Sequence, residues 1–394
     1  MVAAPMNRPA HGASTRSDRP AIAIIKRGSF SSTNDAFIAA FTQMLPGYDF
    51  DVVDVLELMK GEGPLFKVLA RLAALKEFTR LLLLRREKMG GAGGCLIRTT
   101  FYLERLRRRV AERLSQRKYV FTLQTQSLFD ASFPGIPHFI YTDFAELQCL
   151  RLPDFSPKQL FPARWIDYET RIYGNASMVF TMSDATRRCL VEEYGCPETK
   201  VAAVHAGPNA APADGDVSAP DRYASQRILF VGARWEPKGG PDLVAAFERV
   251  LESHPRAQLT IVGCSPALDL PNCEVVGTVP VAQVGSFFDR ASIFCMPTRR
   301  DAYGIVFLEA LAHGLPVVAT PTAAVPELVS EGETGYLVEA GDIAALASRL
   351  TSLLDDPEKC RRFGVAARRA GDSYSWARTA QTMLRHIESV VGPL

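Results

Sequence analysis

Short apolar runs alternate with amphipathic stretches along this chain, and the alternation occurs twice. In the first half, AIAIIK (21–26), DFDVVDV (49–55), YVFTLQ (119–124), HFIYTD (138–143) and SMVFTMS (177–183) are predicted strands, with helical patterns between most of them. In the second half the strands are RILFVG (227–232), AQLTIVG (257–263), CEVVGTV (273–279), SIFCMP (292–297), PVVATP (316–321) and GYLVE (335–339). Strands separated by helices form parallel sheets covered on both faces, so the expected fold class is α/β with two doubly wound domains facing a cleft. The expected domains are 21–205 and 227–375. Residues 206–226, AGPNAAPADGDVSAPDRYASQ, have no hydrophobic period and read as the linker. Residues 1–20 read as a disordered lead, and 376–394 as a helix returning to the first domain.

Composition narrows the class. At 394 residues, 47% hydrophobic and 22% charged, the chain has the make-up of a globular protein of two ordinary domains. No apolar stretch approaches the roughly 20 residues that span a bilayer, and the polar start has no signal-peptide core. The 8 cysteines form no C-x-x-C pair, which fits reduced thiols and a cytoplasmic location. The formal charge of +2 hides an asymmetry, because residues 60–118 hold 16 Lys/Arg against 5 Asp/Glu. Those cations are interleaved with Leu, Phe and Val at helical spacing, and GGAGG (90–94) separates two such stretches. They read either as basic amphipathic helices on an anionic membrane, a peripheral attachment, or as surface helices with solvated faces. No DNA-reading motif accompanies the charge, so nucleic acid is not an expected partner.

Two segments carry candidate chemistry. In RILFVGARWEPKGGPDL a strand ends at Gly232, a loop bears Arg234 and Lys238, and Pro241 opens a helix. Cations at the mouth of a strand suit a diphosphate; a solvated surface turn is the alternative. In CMPTRRDAYGIVFLEALAHG the loop holds Thr298 to Asp301 and a helix starts near Gly304. Its first amides, at Ile305 and Val306, and its positive dipole end suit a phosphate approaching over glycine. Glu309, one turn further in, can accept from vicinal ribose hydroxyls, while Asp301 can contact the group beyond the phosphate. The spacing therefore matches a nucleotide diphosphate carrying a hydroxylated substituent.

These segments, with VVGTVP, VPELVSEGETGYLVEAGD and SWARTAQTML, resemble in order and separation the blocks of the retaining GT-B glycosyltransferases of family 4, the glycosyl transferases group 1. The likeness covers residues 225–385 and extends more weakly to VHAGPN and the stretch around 165–195. It implies two Rossmann-like domains, the second binding a nucleoside-diphosphate sugar and the first an acceptor. It implies Glu309 at the ribose, Asp301 at the donor sugar, Lys238 and Arg234 at the diphosphate, and Gly232, Thr298, Gly304, Ile305, Val306 and Gly277 around the donor. The family's first acid is here Asp301, one methylene shorter. Its usual His-Asp pair is Thr142-Asp143, which leaves Asp143 or Tyr141 as pocket candidates; His138 reads as a packed or strand-edge residue.

The resemblance also implies retained anomeric configuration, with the donor phosphate accepting the acceptor's proton. No Asp-x-Asp motif stands at a strand end, so neither a divalent metal nor another cofactor is expected. KRGSFSSTNDAF (26–37) lacks G-x-G-x-x-G. Its Gly28, Ser29, Ser31, Ser32, Thr33 and Asn34 are acceptor-binding candidates, or simply a capped polar loop. The expected reaction moves a sugar to an acceptor hydroxyl, on a lipid-linked or other sugar or small-molecule acceptor. The alternatives are a phosphorylase, a nucleotide-sugar epimerase or a non-catalytic sugar-nucleotide-binding scaffold.

Overall fold

The computed structural model describes residues 19–29, 32–83, 91–210 and 219–394. The predicted lead and Ser31 fall outside or mostly outside these ranges. The first domain runs β1 (Ala21–Lys26), α1 (Thr33–Gln43), β2 (Asp49–Asp54), α2 (Val55–Lys60), α3 (Pro64–Leu83), α4 (Gly91–Leu96), α5 (Thr100–Leu114), β3 (Thr122–Thr125), β4 (His138–Thr142), α6 (Ala163–Asn175), β5 (Met178–Thr181), α7 (Asp184–Glu192) and β6 (Val201–Ala203). The second runs α8 (Pro220–Ala224), β7 (Arg227–Val231), α9 (Gly240–Ser253), β8 (Gln258–Val262), β9 (Cys273–Gly277), α10 (Val281–Arg290), β10 (Ile293–Met296), α11 (Ile305–Ala312), β11 (Val317–Ala319), α12 (Val325–Leu328), β12 (Gly335–Leu337), α13 (Ile343–Leu354) and α14 (Pro357–Gly371), before α15 (Trp376–Val391).

Each domain holds one six-stranded parallel sheet. Strand order is β2-β1-β3-β4-β5-β6 in the first and β12-β11-β10-β7-β8-β9 in the second. Along β1 the side chains alternate between two cores. Ile22 and Ile24 pack with Phe37 and Phe41 of α1, while Ala23 and Ile25 pack with Leu103, Leu106 and Val110 of α5. A strand covered on both faces is apolar throughout, which is why AIAIIK shows no polar alternation.

The strand order reverses between β1 and β3 in one sheet and between β7 and β10 in the other. A crevice opens at the carboxyl ends of the strands at such a point. The loops after β1, β7 and β10, which carry most of the predicted site, stand at these two crevices.

Two segments depart from the sequence reading. The end of the predicted linker is α8, fixed to the second domain: Arg222 donates to the carbonyls of Ala291, His313 and Phe288 at 2.9, 2.8 and 2.7 Å. The glycine-rich break at 90–94 contributes to a short helix, α4. α15 lies on α1, with the Phe37 and Trp376 rings 6.2 Å apart. A Cβ at Gly207 would stand 2.4 Å from the Trp376 amide nitrogen, so the crossing between domains is pressed onto this helix.

Candidate active site

The loops after β7 and β10 are built around each other. Gly239 has φ of 76°, and a Cβ there would lie 1.9 Å from the Pro297 carbonyl oxygen; at Gly240 it would lie 2.2 Å from the Trp235 ring. Only a glycine pair lets the β7 loop seat against the end of β10. The Pro237 carbonyl then accepts from the amides of Arg299 and Arg300, at 3.0 and 3.1 Å, and from the Thr298 hydroxyl at 3.3 Å.

This scaffold brings Lys238 and Asp301 into an ion pair in which both side chains are mostly buried. Asp301 also accepts from the Ala302 amide at 2.8 Å. Arg234 stands exposed on the same loop. Thr298 is fully buried and its hydroxyl bonds the Pro237 and Arg300 carbonyls, so it shapes the loop and does not face a donor. Gly304, with φ of 91°, turns the chain into α11; a Cβ there would stand 2.6 Å from the Phe307 ring. The half-buried Ile305 and Val306 follow as the first turn.

Glu309 is buried at 8% exposure. Its Oε1 accepts from the Asn209 and Ala210 amides at 3.3 and 3.1 Å, joining α11 to the segment that crosses between domains. Burial pushes its carboxyl up to about 7, against the opposing pull of those two amides. Gly232, Gly263 and Gly277 line up at the ends of β7, β8 and β9: the Gly232 amide donates to the Val262 carbonyl at 2.9 Å and the Gly263 amide to the Gly277 carbonyl at 2.8 Å. A Cβ at Gly263 would stand 3.0 Å from the Gly232 backbone and one at Gly277 3.0 Å from Ser265 Oγ, so these glycines let the strand ends pack closely.

Across the cleft, Asp143 follows β4. Burial raises its carboxyl to about 6, and the charge of Asp301 adds to the rise. Thr142 does not take the place of a cleft histidine, because its hydroxyl is turned inward onto Ser127, at 3.0 Å, and the Phe144 carbonyl. Tyr141 is buried and donates to the His205 carbonyl at 2.6 Å, so it holds the crossing segment. His138 bonds Thr122 at 2.7 Å through Nδ1 and lies on an interior strand, where burial lowers its pKa to about 4.

The β1 loop is stapled internally. The Gly28 amide donates to both Asp54 oxygens at 3.1 and 3.2 Å, and Asn34 Nδ2 donates to the Gly28 carbonyl at 2.9 Å. Asn34 therefore organises the loop and does not offer its amide to an acceptor. The Ser29 carbonyl accepts from the Asn34 amide at 3.2 Å, and Ser32, with φ of 63°, leads into α1. Buried Thr33 accepts from Asn209 Nδ2 at 3.4 Å, which ties the loop to the crossing segment.

Sequence reasoning missed the contacts that join the domains. Glu327 on α12 accepts from the Asp184 and Ala185 amides at the start of α7, at 2.8 and 2.6 Å. Arg299 grips Asp242 through two nitrogens and reaches Asp154 of the first domain at 2.7 Å. Residues so far apart in the chain leave no local pattern. VHAGPN, around Asn209, was the one crossing-segment stretch with a legible signal.

Residues 225–356 match the family described as glycosyl transferases group 1. The chain is 32% identical over 223 residues to a phosphatidyl-myo-inositol mannosyltransferase of Mycobacterium leprae, covering 53% of this chain and 58% of that protein. It thus spans little more than half the length of that relative. In structure it is similar to a sucrose-phosphate synthase from Thermosynechococcus elongatus, with a TM-score of 0.69, 17% identity and coverage of 94% of this chain and 99% of that one. It is also similar to the Anabaena protein HepE solved with UDP and glucose, with a TM-score of 0.63, 14% identity and coverage of 94% and 100%. Two parallel six-stranded sheets with helices on both faces, meeting at paired switch points, are the GT-B fold, and the C-terminal domain of this chain belongs to the glycosyl transferases group 1.

Proposed function

We propose that this chain transfers a sugar from a nucleoside-diphosphate sugar to an acceptor hydroxyl with retained configuration. The observation that carries the reading is the Lys238–Asp301 pair at the β7/β10 crevice, facing Asp143 of the other domain. In the free protein each charge neutralises the other. An arriving diphosphate takes Lys238 and the start of α11, which releases the Asp301 carboxylate for the hydroxyls of the donor sugar. Glu309 holds the ribose.

As the anomeric C–O bond to the diphosphate breaks, negative charge grows on the departing phosphate and Lys238 stabilises it. The acceptor oxygen bonds to the anomeric carbon on the same face, and its proton passes to the departing phosphate oxygen. The carboxylates of Asp301 and Asp143 favour the positive charge that develops on the sugar. With the charge supplied by side chains and a helix end, turnover should withstand EDTA. The relatives' names support the substrate classes: HepE was solved with UDP and glucose, and the Mycobacterium leprae relative is named for a lipid acceptor. A lipid-borne acceptor would make peripheral attachment to a membrane part of the function.

The test is calorimetric titration with UDP-, GDP- and ADP-sugars, alongside Lys238→Ala and Glu309→Ala. Micromolar binding of one series, lost in both variants, is expected. A folded protein that binds none of the three overturns the reading.

A further inference from the structure

The two basic stretches of residues 60–118 have different fates. On α5 and just beyond it most cations are spent within the fold: Arg105 and Arg109 pair with Glu62 at 2.7 and 3.3 Å, Arg113 with Asp51 at 2.5 Å and Arg117 with Asp49 at 2.6 Å. Asp49 and Asp51 lie on β2, the edge strand, so these pairs fasten α5 to the sheet.

α3 is inverted. It buries Ala70 and Ala74, with Phe78 and Leu81, and turns five aliphatic side chains of its first three turns outward: Leu65, Val68, Leu69, Leu72 and Leu75 are 71, 50, 41, 55 and 57% exposed. Their spacing puts all five on one face. Lys67, Arg71 and Lys76 on the same helix are exposed and make no ion pair among the described residues.

We propose that this face of α3 docks on an anionic lipid surface, the leucines entering the headgroup boundary and the three cations meeting lipid charge. Two arguments favour lipid over a second copy of the chain. Five half-exposed side chains offer on the order of 400 Å², short of the roughly 800 Å² that each partner brings to a stable interface. A symmetric contact would also bring the unpaired cations of one copy against those of the other. No helix among the described residues is long and apolar enough to cross a membrane, so attachment by this face is peripheral. The proposal rests on the glycosyl-transfer reading for its purpose, bringing the cleft to a lipid-borne acceptor, but its test does not.

The experiment is co-sedimentation of the full chain with phosphatidylcholine vesicles and with vesicles containing phosphatidylglycerol. Two combined variants accompany it: Leu69→Ser with Leu72→Ser and Leu75→Ser, and Lys67→Gln with Arg71→Gln and Lys76→Gln. The wild type should partition onto anionic vesicles, less so at high salt, and removing the three cations should weaken this roughly a hundredfold. The leucine variant should weaken it at least tenfold, with nucleotide-sugar titration unchanged in both. Equal sedimentation with either vesicle type, or anionic binding indifferent to the substitutions, overturns the proposal. So does a wild-type dimer in sedimentation velocity that the leucine variant dissociates.

Discussion

Glu309→Gln separates stability from function at a single buried atom group. The wild-type carboxyl holds its proton up to about 7 in the folded chain, against an ordinary value of 4.5. The folded state therefore binds more protons than the unfolded state between those two values, and stability falls as pH rises through that window. A displacement of this size is worth roughly 3 kcal/mol at most. Glutamine keeps an oxygen for the Asn209 and Ala210 amides and has no charge to desolvate. Its NH₂ group asks for a partner, as does the hydroxyl of the protonated acid, so the two proteins should unfold alike near pH 4.5. By about pH 8 the variant should be the more stable by up to roughly 3 kcal/mol. Glu169, pushed to about 7, and Asp143, to about 6, titrate in the same window in both proteins and cancel in the difference. The assay is urea unfolding of both across that range, paired with nucleotide-sugar titration. Loss of a charged acceptor for the ribose hydroxyls should weaken donor affinity by about tenfold to a hundredfold even where stability has risen. A stability difference that does not vary with pH would refute the reasoning.

Other expectations come from the same loops. Lys238→Ala should abolish detectable donor binding and also destabilise the fold, because Asp301 keeps a mostly buried charge without its partner; adding Asp301→Ala should recover stability without recovering binding, as a double-mutant cycle by calorimetry and thermal melting would register. Gly239→Ala places a Cβ 1.9 Å from the Pro297 carbonyl oxygen at positive φ, and should cost about 2–4 kcal/mol in thermal or urea unfolding. Asp154→Ala removes the Arg299 contact between domains; Asp154 is 68% exposed, so steady-state kinetics should show at most about a fivefold loss in kcat/KM with donor affinity unchanged.

What was legible in the chain divides along the range of the interactions. Parallel strands buried on both faces, such as AIAIIK and SIFCMP, are apolar runs that stood out, and the edge strands DFDVVDV and CEVVGTV were still legible from their valines and the turn residues around them. β6 is three residues, Val-Ala-Ala, too short and too small to show a pattern. The Asp301 to Glu309 spacing was readable because one loop and one helix start determine it. That Asp301 closes on Lys238, and Glu309 on the amides of residues 209 and 210, was not, since each partner lies on another segment brought in by the fold.

The same distinction governs charge. Counting cations in residues 60–118 marked a basic region, but a count does not record which are already paired. On α5 the acids that neutralise them come from β2 and from Glu62, across the domain. On α3 no acid among the described residues pairs with Lys67, Arg71 or Lys76, and Ala70 and Ala74 face the core ahead of Phe78 and Leu81. Between residues 65 and 75 the fully buried positions are alanines, which leaves the leucines there to face outward. Five exposed leucine and valine side chains on one face, on a helix whose Lys67, Arg71 and Lys76 have no ion-pair partner among the described residues, are what the proposed lipid contact would use, and the vesicle experiment measures that contact.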